Sequence, residues 1–161
     1  HEEAFDTAAR FMGRDGCRTP MHWTGEPGAG FTVSHAHSWL PIHPNHATGV
    51  NVATQKSIPN SMLNFFRDIV QLRQANPALR NGAITLLPPH DHVLAFWRET
   101  AEQSCLVLLN VSGNSEVIPM HVALPYTLYS SGIHPVRVHN GMLHLEPYQI
   151  YVGAMIGDER G

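Results

Sequence analysis

What this sequence lacks narrows it first. Its two cysteines, Cys17 and Cys105, stand far apart and in no metal-ligand spacing. That argues against a disulfide scaffold or a cysteine-based zinc site, and fits a reducing, cytoplasmic compartment. Charged residues make up only 14% of the chain and the formal net charge is −3. A basic nucleic-acid surface or a polybasic membrane face would need far more positive charge, so neither nucleic acid nor membrane is an expected partner. No apolar run approaches the roughly 20 residues that a bilayer-spanning helix requires. No internal repeat, low-complexity tract or signal-peptide pattern is visible in a sequence that opens on His1 rather than Met. Apolar content, at 43%, is ordinary, so a core can form and disorder is not expected. The length of 161 residues suits one domain, or a domain with a piece of another.

What is present concentrates in Gly13-Arg14-Asp15-Gly16-Cys17-Arg18-Thr19-Pro20-Met21-His22-Trp23. The glycines and the proline break any helical period, and strand alternation fails at once. The stretch is a loop. Two arginines four apart, with an acid between them, can hold a hydroxyl-rich or carboxylate ligand through fixed forks of donors. They can equally pin the loop through an Arg–Asp ion pair of the kind common on surfaces.

This run resembles the GRDxxRTPMQW segment of bacterial α-glucosidases in glycoside hydrolase family 13, the α-amylase family. The likeness continues in order. Ala29-Gly30-Phe31 resembles that family's NAGF. Trp39-Leu40-Pro41-Ile42 with Pro44-Asn45 resembles PWLPVNPN, and Asn51-Val52 resembles INV. Ser61 to Arg67 and Leu72 to Gly82 resemble SLLNFYR and LRKENPALRYG. Beyond about residue 82 only the general pattern of a C-terminal β domain is similar.

Residues 5–12 carry Phe5, Ala8, Ala9 and Met12 at helical spacing, so a short helix is predicted there. From Gly25 to about Ile58 no regular period is visible, and Pro27, Pro41, Pro44 and Pro59 punctuate the stretch. Long irregular stretches of this kind are usually functional. The resemblance implies that this one is the excursion between the last strand and last helix of a (β/α)8 barrel. The clearest helix is about Asn60 to Ala75. Met62, Phe65, Phe66, Ile69, Val70 and Arg73 trace its core face, and Leu63 and Leu72 widen it. Ser57 or Asn60 can cap it, Pro59 suits its first turn, and Asn76-Pro77 stops it. By resemblance this is the eighth barrel helix, and without barrel neighbours its apolar face stays uncovered.

From Ala83 the pattern turns to short strands: Ala83–Leu87, Val93–Arg98, Cys105–Asn110, Glu116–Val122, Tyr126–Ser130, Val136–Val138 and Gln149–Met155. The continuous apolar run Cys105 to Leu109 marks a central strand. Asn140-Gly141 is a two-residue hairpin signal. The spacing suggests an antiparallel sandwich, with residues 157–161 a loose tail.

Retaining glycosidases work with two carboxyls about 5 Å apart. The loop acids here, Asp6, Asp15, Glu26, Asp91, Glu99, Glu102 and Asp158, form no evident pair, and the family's Asn-His-Asp stretch is absent. No catalytic residue is therefore assigned. The resemblance implies that Arg14 holds the terminal glucose in the −1 pocket and that Arg18 lies nearer the neighbouring sugar. Trp23 is expected to plug its loop rather than to stack on a sugar. Twelve histidines are many for this length. His35, His37, His43 and His46 form H-x-H-x5-H-x2-H, a run that could surround zinc. The family has Asn at His43, Tyr at His46 and Gln at His22, so these histidines look like scattered polar replacements and no metal site is expected. No cofactor is implied.

The fold expected is an α+β fragment. Residues 1–80 would be the C-terminal end of a (β/α)8 catalytic barrel, its loop region and last helix. Residues 81–161 would be an antiparallel β-sandwich. The function implied is part of an exo-acting α-glucosidase whose catalytic carboxylates lie in barrel strands upstream, with an α-glucoside oligosaccharide as substrate. A non-catalytic sugar-binding or interaction module, or part of a related glucosyl transferase or isomerase such as a trehalose synthase, would share the same features.

Overall fold

A computed structural model of the chain describes residues 17–120 and 124–156. The helix expected over 5–12, residues Arg14 and Asp15, the end of the strand expected over 116–122 and the tail 157–161 lie outside the described residues. The chain forms two compact units, residues 1–69 and 70–161.

In the first unit, residues 17–43 contain turns and bends but no strand. Gly28, Ala29, Gly30 and Gly49 all have positive φ, as expected of a path no regular element can follow. A 3₁₀ turn, Pro44–Thr48, and a short helix α1, Val52–Lys56, follow. The predicted long helix is α2, Met62–Ala75. Its cap differs from expectation: neither Ser57 nor Asn60 serves. The amide of Ser61 closes a turn on the Ile58 carbonyl, so the helix begins one residue later. Ser61 Oγ then accepts from Asn64 N at 3.2 Å, satisfying an otherwise orphaned donor. None of the α2 side chains is buried. Met62 is 71% and Phe66 64% exposed while Phe65, Ile69 and Val70 are half-buried, so the apolar face is only partly covered.

The second unit begins within α2 at Val70, and Asn76 ends that helix. Asn76 Nδ2 donates to Leu72 O at 2.7 Å. The next residue stops one helix and starts another: Pro77 opens α3, Pro77–Asn81, in the first-turn position that tolerates a missing N–H. Eight strands follow: β1 Ala83–Leu86, β2 Val93–Glu99, β3 Gln103–Asn110, β4 Glu116–Pro119, β5 Tyr126–Ser130, β6 Val138–His139, β7 Met142–Leu145 and β8 Ile150–Ile156. They form a five-stranded sheet in the order β1-β2-β3-β8-β5 and a three-stranded sheet, β4-β7-β6, antiparallel throughout. The apolar run of β3 is central, with β2 and β8 on either side.

Three strand expectations need correction. The strand expected over 116–122 ends at Pro119, and Met120 is already outside it. The strand expected over 136–138 is only Val138–His139, and β7 was not predicted. Its pattern Met-Leu-His-Leu is too short to stand out from sequence. The Asn140-Gly141 turn does mark the hairpin that joins β6 to β7, with φ of 51° and 72°, as a type I′ turn requires.

The core lies between the two sheets. Val93, Ala95, Leu106, Leu108 and Tyr151 project from one, and Ile118, Leu143 and Leu145 from the other. Gly153 makes this packing possible. A β-carbon there would come 2.4 Å from the Tyr151 hydroxyl, which donates to the Pro125 carbonyl. The opposite face of the large sheet carries Cys105 and Ala154, packed with Ala78 of α3. Burial pushes the Cys105 thiol up to about 11, with Arg98 opposing the rise. Gln103 clips α3 in place: Ala78 N donates to its Oε1 at 3.1 Å, and its Nε2 donates to Asn76 Oδ1 at 2.8 Å.

Candidate substrate-binding site

The arginine-bearing loop is the part of the chain with the most chemistry and the least regular structure. Of its two predicted binding residues, Arg14 lies outside the described residues. Arg18 is exposed and makes no ion pair among the described residues. Asp15, the acid of the Arg–Asp ion-pair reading, also lies outside the described residues.

The loop is fixed just after that arginine. The carbonyls of His22 and Trp23 accept from Val52 N and Ala53 N, each at 3.0 Å. These amides open α1, where a helix has no intrahelical acceptors for its donors. Trp23 N and Thr24 N both donate to the Ala29 carbonyl, at 2.8 and 3.1 Å. The buried Ala29, with φ of 52°, turns that carbonyl toward them.

Behind α1 stands Asn51, only 3% exposed. Its Oδ1 caps the helix by accepting from Thr54 N, and its Nδ2 donates to His46 O, both at 2.8 Å. His22 Nδ1 lies 3.0 Å from the Val50 carbonyl. Sequence reasoning saw Asn51 only as part of a motif and saw His22 as a mismatch. An Asn directly before a helical segment was the signal available for the first. For the second no signal existed, because its partner is 28 residues away.

Against this loop runs a groove of about 410 Å³, lined by Met21, His22, Val50, Val52, Met62 and Phe66 among others. Trp23 is 50% exposed, so it does not plug its loop as expected. Among the described residues 17–69, only Ala29 and Leu40 are buried hydrophobics, and no core exists for the indole to enter.

The carboxylates described in this unit are Glu26 and Asp68, one in a loop and one on α2, and they make no catalytic pair. The histidines are dispersed. His35 and His37 are exposed. His46 Nδ1 lies 2.9 Å from His43 O, and His43 Nδ1 accepts from Asn45 N at 3.2 Å. Among the described residues no three His, Cys, Asp or Glu side chains are grouped as metal ligands.

In the second unit, two histidine–carboxylate clusters were not predicted. His92 Nδ1 lies 3.1 Å and His90 Nε2 3.9 Å from the Glu116 carboxylate, which also accepts from Ser112 Oγ at 3.1 Å. Glu146 takes the His134 ring and the Ile133 and His134 amides. The His134 hydrogen bond, followed by the Ile133 amide, holds the Glu146 carboxyl below its ordinary value. His90 and His92 were visible as a pair in sequence. Glu146 and His134 are separated by two strands, and nothing local links them.

Comparison with known proteins gives the family. Residues 1–82 match the family model for the α-amylase catalytic domain. A probable α-glucosidase of Rhizobium meliloti is 41% identical over 63% of this chain and 18% of its own length. The oligo-1,6-glucosidase of Heyndrickxia coagulans is 34% identical over 71% of this chain and 20% of its own. Among solved structures, the trehalulose synthase MutB of Pseudomonas mesoacidophila superposes with a TM-score of 0.75 at 26% identity. That match covers 86% of this chain and 25% of the synthase. An isomaltulose synthase mutant of Erwinia rhapontici, solved with sucrose, gives a TM-score of 0.74 at 29% identity over 88% of this chain and 25% of that one. The chain spans about a fifth of the length of the curated relatives it matches. With the family model covering half of its residues, and with the arginine loop, the open-faced helix and the β domain following in family order, the chain belongs to the α-amylase family, glycoside hydrolase family 13.

Proposed function

We propose that this chain is the C-terminal part of an exo-acting α-glucosidase. That enzyme would release terminal α-linked glucose from maltose- or isomaltose-type oligosaccharides with retention of configuration. Residues 1–80 would complete the catalytic barrel, and 81–161 would form its β-sandwich companion. The end of the family match at residue 82 and the start of strands at Ala83 support this division. The chain contributes substrate-binding arginines, Arg14 and Arg18, while the nucleophile and acid/base come from barrel strands outside it. The observation that carries the reading is an exposed Arg18 without an ion pair among the described residues, on a loop anchored at the start of α1. A guanidinium that pairs with no acid among the described residues is available there to sugar hydroxyls. The use of cysteine supports a cytoplasmic location.

The test is Arg14→Ala in the full-length enzyme. A charged donor on a sugar hydroxyl contributes about 1.5–3 kcal/mol, so kcat/KM should fall about ten- to a hundredfold. Melting should barely move, and Arg14→Lys should rescue little, because an ammonium cannot reproduce the fork. Near-wild-type kcat/KM for the alanine variant would refute the assignment. A second reading has support from the synthase structures, which are named for sucrose-derived products: the full-length protein could transfer or isomerise rather than hydrolyse. Product analysis with maltose, isomaltose and sucrose separates the two.

A further inference from the structure

We infer that His22 is a positioning residue for the arginine loop, and that its hydrogen bond to the Val50 carbonyl sets how much of the time Arg18 is presented to substrate. The inference rests on the reading above, in which this loop binds sugar.

Among the described residues, Arg18, Thr19, Pro20 and Met21 make no hydrogen bond of their own. Pro20 is buried, and the first hydrogen-bonded residue after Arg18 is residue 22, which is held twice. Its carbonyl accepts from Val52 N at 3.0 Å, and its ring Nδ1 meets Val50 O at 3.0 Å. A carbonyl oxygen only accepts, so Nδ1 carries the proton and donates. Two bonds to residues two apart fix both the peptide plane and the side-chain torsion of His22, and with them the direction in which the chain leads back to Arg18.

The anchor is itself rigid. Val50 N donates to Asn45 O at 3.1 Å, and the side chain of the buried Asn51 next to it bonds His46 O and Thr54 N. The far side of the ring is packed too: the His46 ring lies 5.6 Å away, and Nε2 is enclosed without a partner. Beside the packing of the buried Pro20, the two bonds of His22 therefore carry the orientation of this run among the described residues.

Loss of that link leaves the bound geometry available but less populated. An apparent dissociation constant rises as the competent fraction falls, whereas turnover at saturation does not change. The experiment is steady-state kinetics of the full-length enzyme with His22→Leu and His22→Asn, alongside Arg14→Ala and Arg18→Ala. Leucine keeps the bulk and removes the donor. Asparagine places an N–H at the same number of bonds from Cα as Nδ1.

The expected result is a rise in KM of about three- to tenfold for His22→Leu, the effect of one net hydrogen bond, with kcat within about twofold. His22→Asn should recover most of the lost affinity. Faster amide exchange at Val52 in His22→Leu, reversed in His22→Asn, would accompany it. An unchanged KM in His22→Leu while the arginine variants lose activity overturns this inference alone. So does a loss in His22→Asn as large as in His22→Leu, or a fall in kcat at constant KM. Wild-type kinetics in the arginine and His22 variants together would overturn the substrate reading, and this inference with it.

Discussion

Asn51 in one unit and Leu108 in the other are both buried, and for opposite physical reasons. Leu108 is enclosed by apolar side chains from two sheets, and its burial is driven by the removal of hydrocarbon from water. Asn51 is enclosed by backbone polar groups that it satisfies. The unit of residues 70–161 has a core of its own. The described part of the other unit substitutes side-chain-to-backbone hydrogen bonds for a core, while Met21, Trp23, Phe31, Trp39, Met62 and Phe66 remain exposed. A hydrogen bond is worth about 1 kcal/mol net, and a large buried aliphatic side chain about 1.5–3. The two units should therefore differ both in stability and in which substitutions hurt them.

The harshest test of that contrast is Leu108→Ala. A cavity in a two-sheet core should cost about 3–5 kcal/mol. The loss should show as an early transition of the β unit in denaturant, followed by the fluorescence of Trp97, which packs against that core. A cost under 1 kcal/mol would mean the sandwich is not close-packed.

Asn51→Ala should cost less, about 1–2 kcal/mol, the range for a lost helix cap. Its effect should be confined to the first unit: faster amide exchange at Thr54 with the Trp97 transition unmoved. A shift of that transition by Asn51→Ala would break the division into two separately stabilised units.

A gentler effect is expected from acid. Folding lowers the Glu146 carboxyl below its ordinary value, so the folded state favours the ionised form. Its contribution is complete above the unfolded value near 4.3 and fades as pH falls through the lowered folded value. The unfolding midpoint of the β unit should drop in that window, and Glu146→Gln should flatten the drop without affecting the first unit. An unaltered pH profile in that variant would show the clasp on residues 133 and 134 to be unimportant.

The mildest probe perturbs nothing. At about pH 8 iodoacetamide should modify the exposed Cys17 and spare Cys105, which is buried and has a thiol raised to about 11. Labelling of native Cys105 at a comparable rate would mean that the second unit opens readily.

The same contrast explains what could be read in advance. Strands β2, β3 and β8 were legible because burial imposes a pattern on consecutive residues, whereas β1 and β5, which bury none of their residues, were legible from the turn residues that bound them. Helix α2 was legible because its face repeats along the chain, although what covers that face is not encoded in it. The hairpin at Asn140-Gly141 was legible because its backbone angles demand those residues, even though β7 beyond it was too short to recognise. The binding loop was legible only through resemblance. Its shape depends on single bonds such as His22 to Val50 and Asn51 to His46, which leave no period and no local signature. The helix cap was misplaced for a related reason: three candidate residues stand within five positions, and the turn at Ile58 decides among them.

The two margins of the five-stranded sheet have different consequences for handling the protein. At one margin, β5 carries an irregularity between Thr127 and Tyr129, which interrupts the row of outward backbone groups that another chain could extend. At the other, β1 is regular, and its Ile84 and Leu86 are exposed. Only its brevity and the Pro88-Pro89 that follow limit strand addition there. Of the two margins, β1 is the one at which strand addition by another chain should begin. A lysine in place of Thr85 would raise the protein's solubility limit without touching the sandwich core.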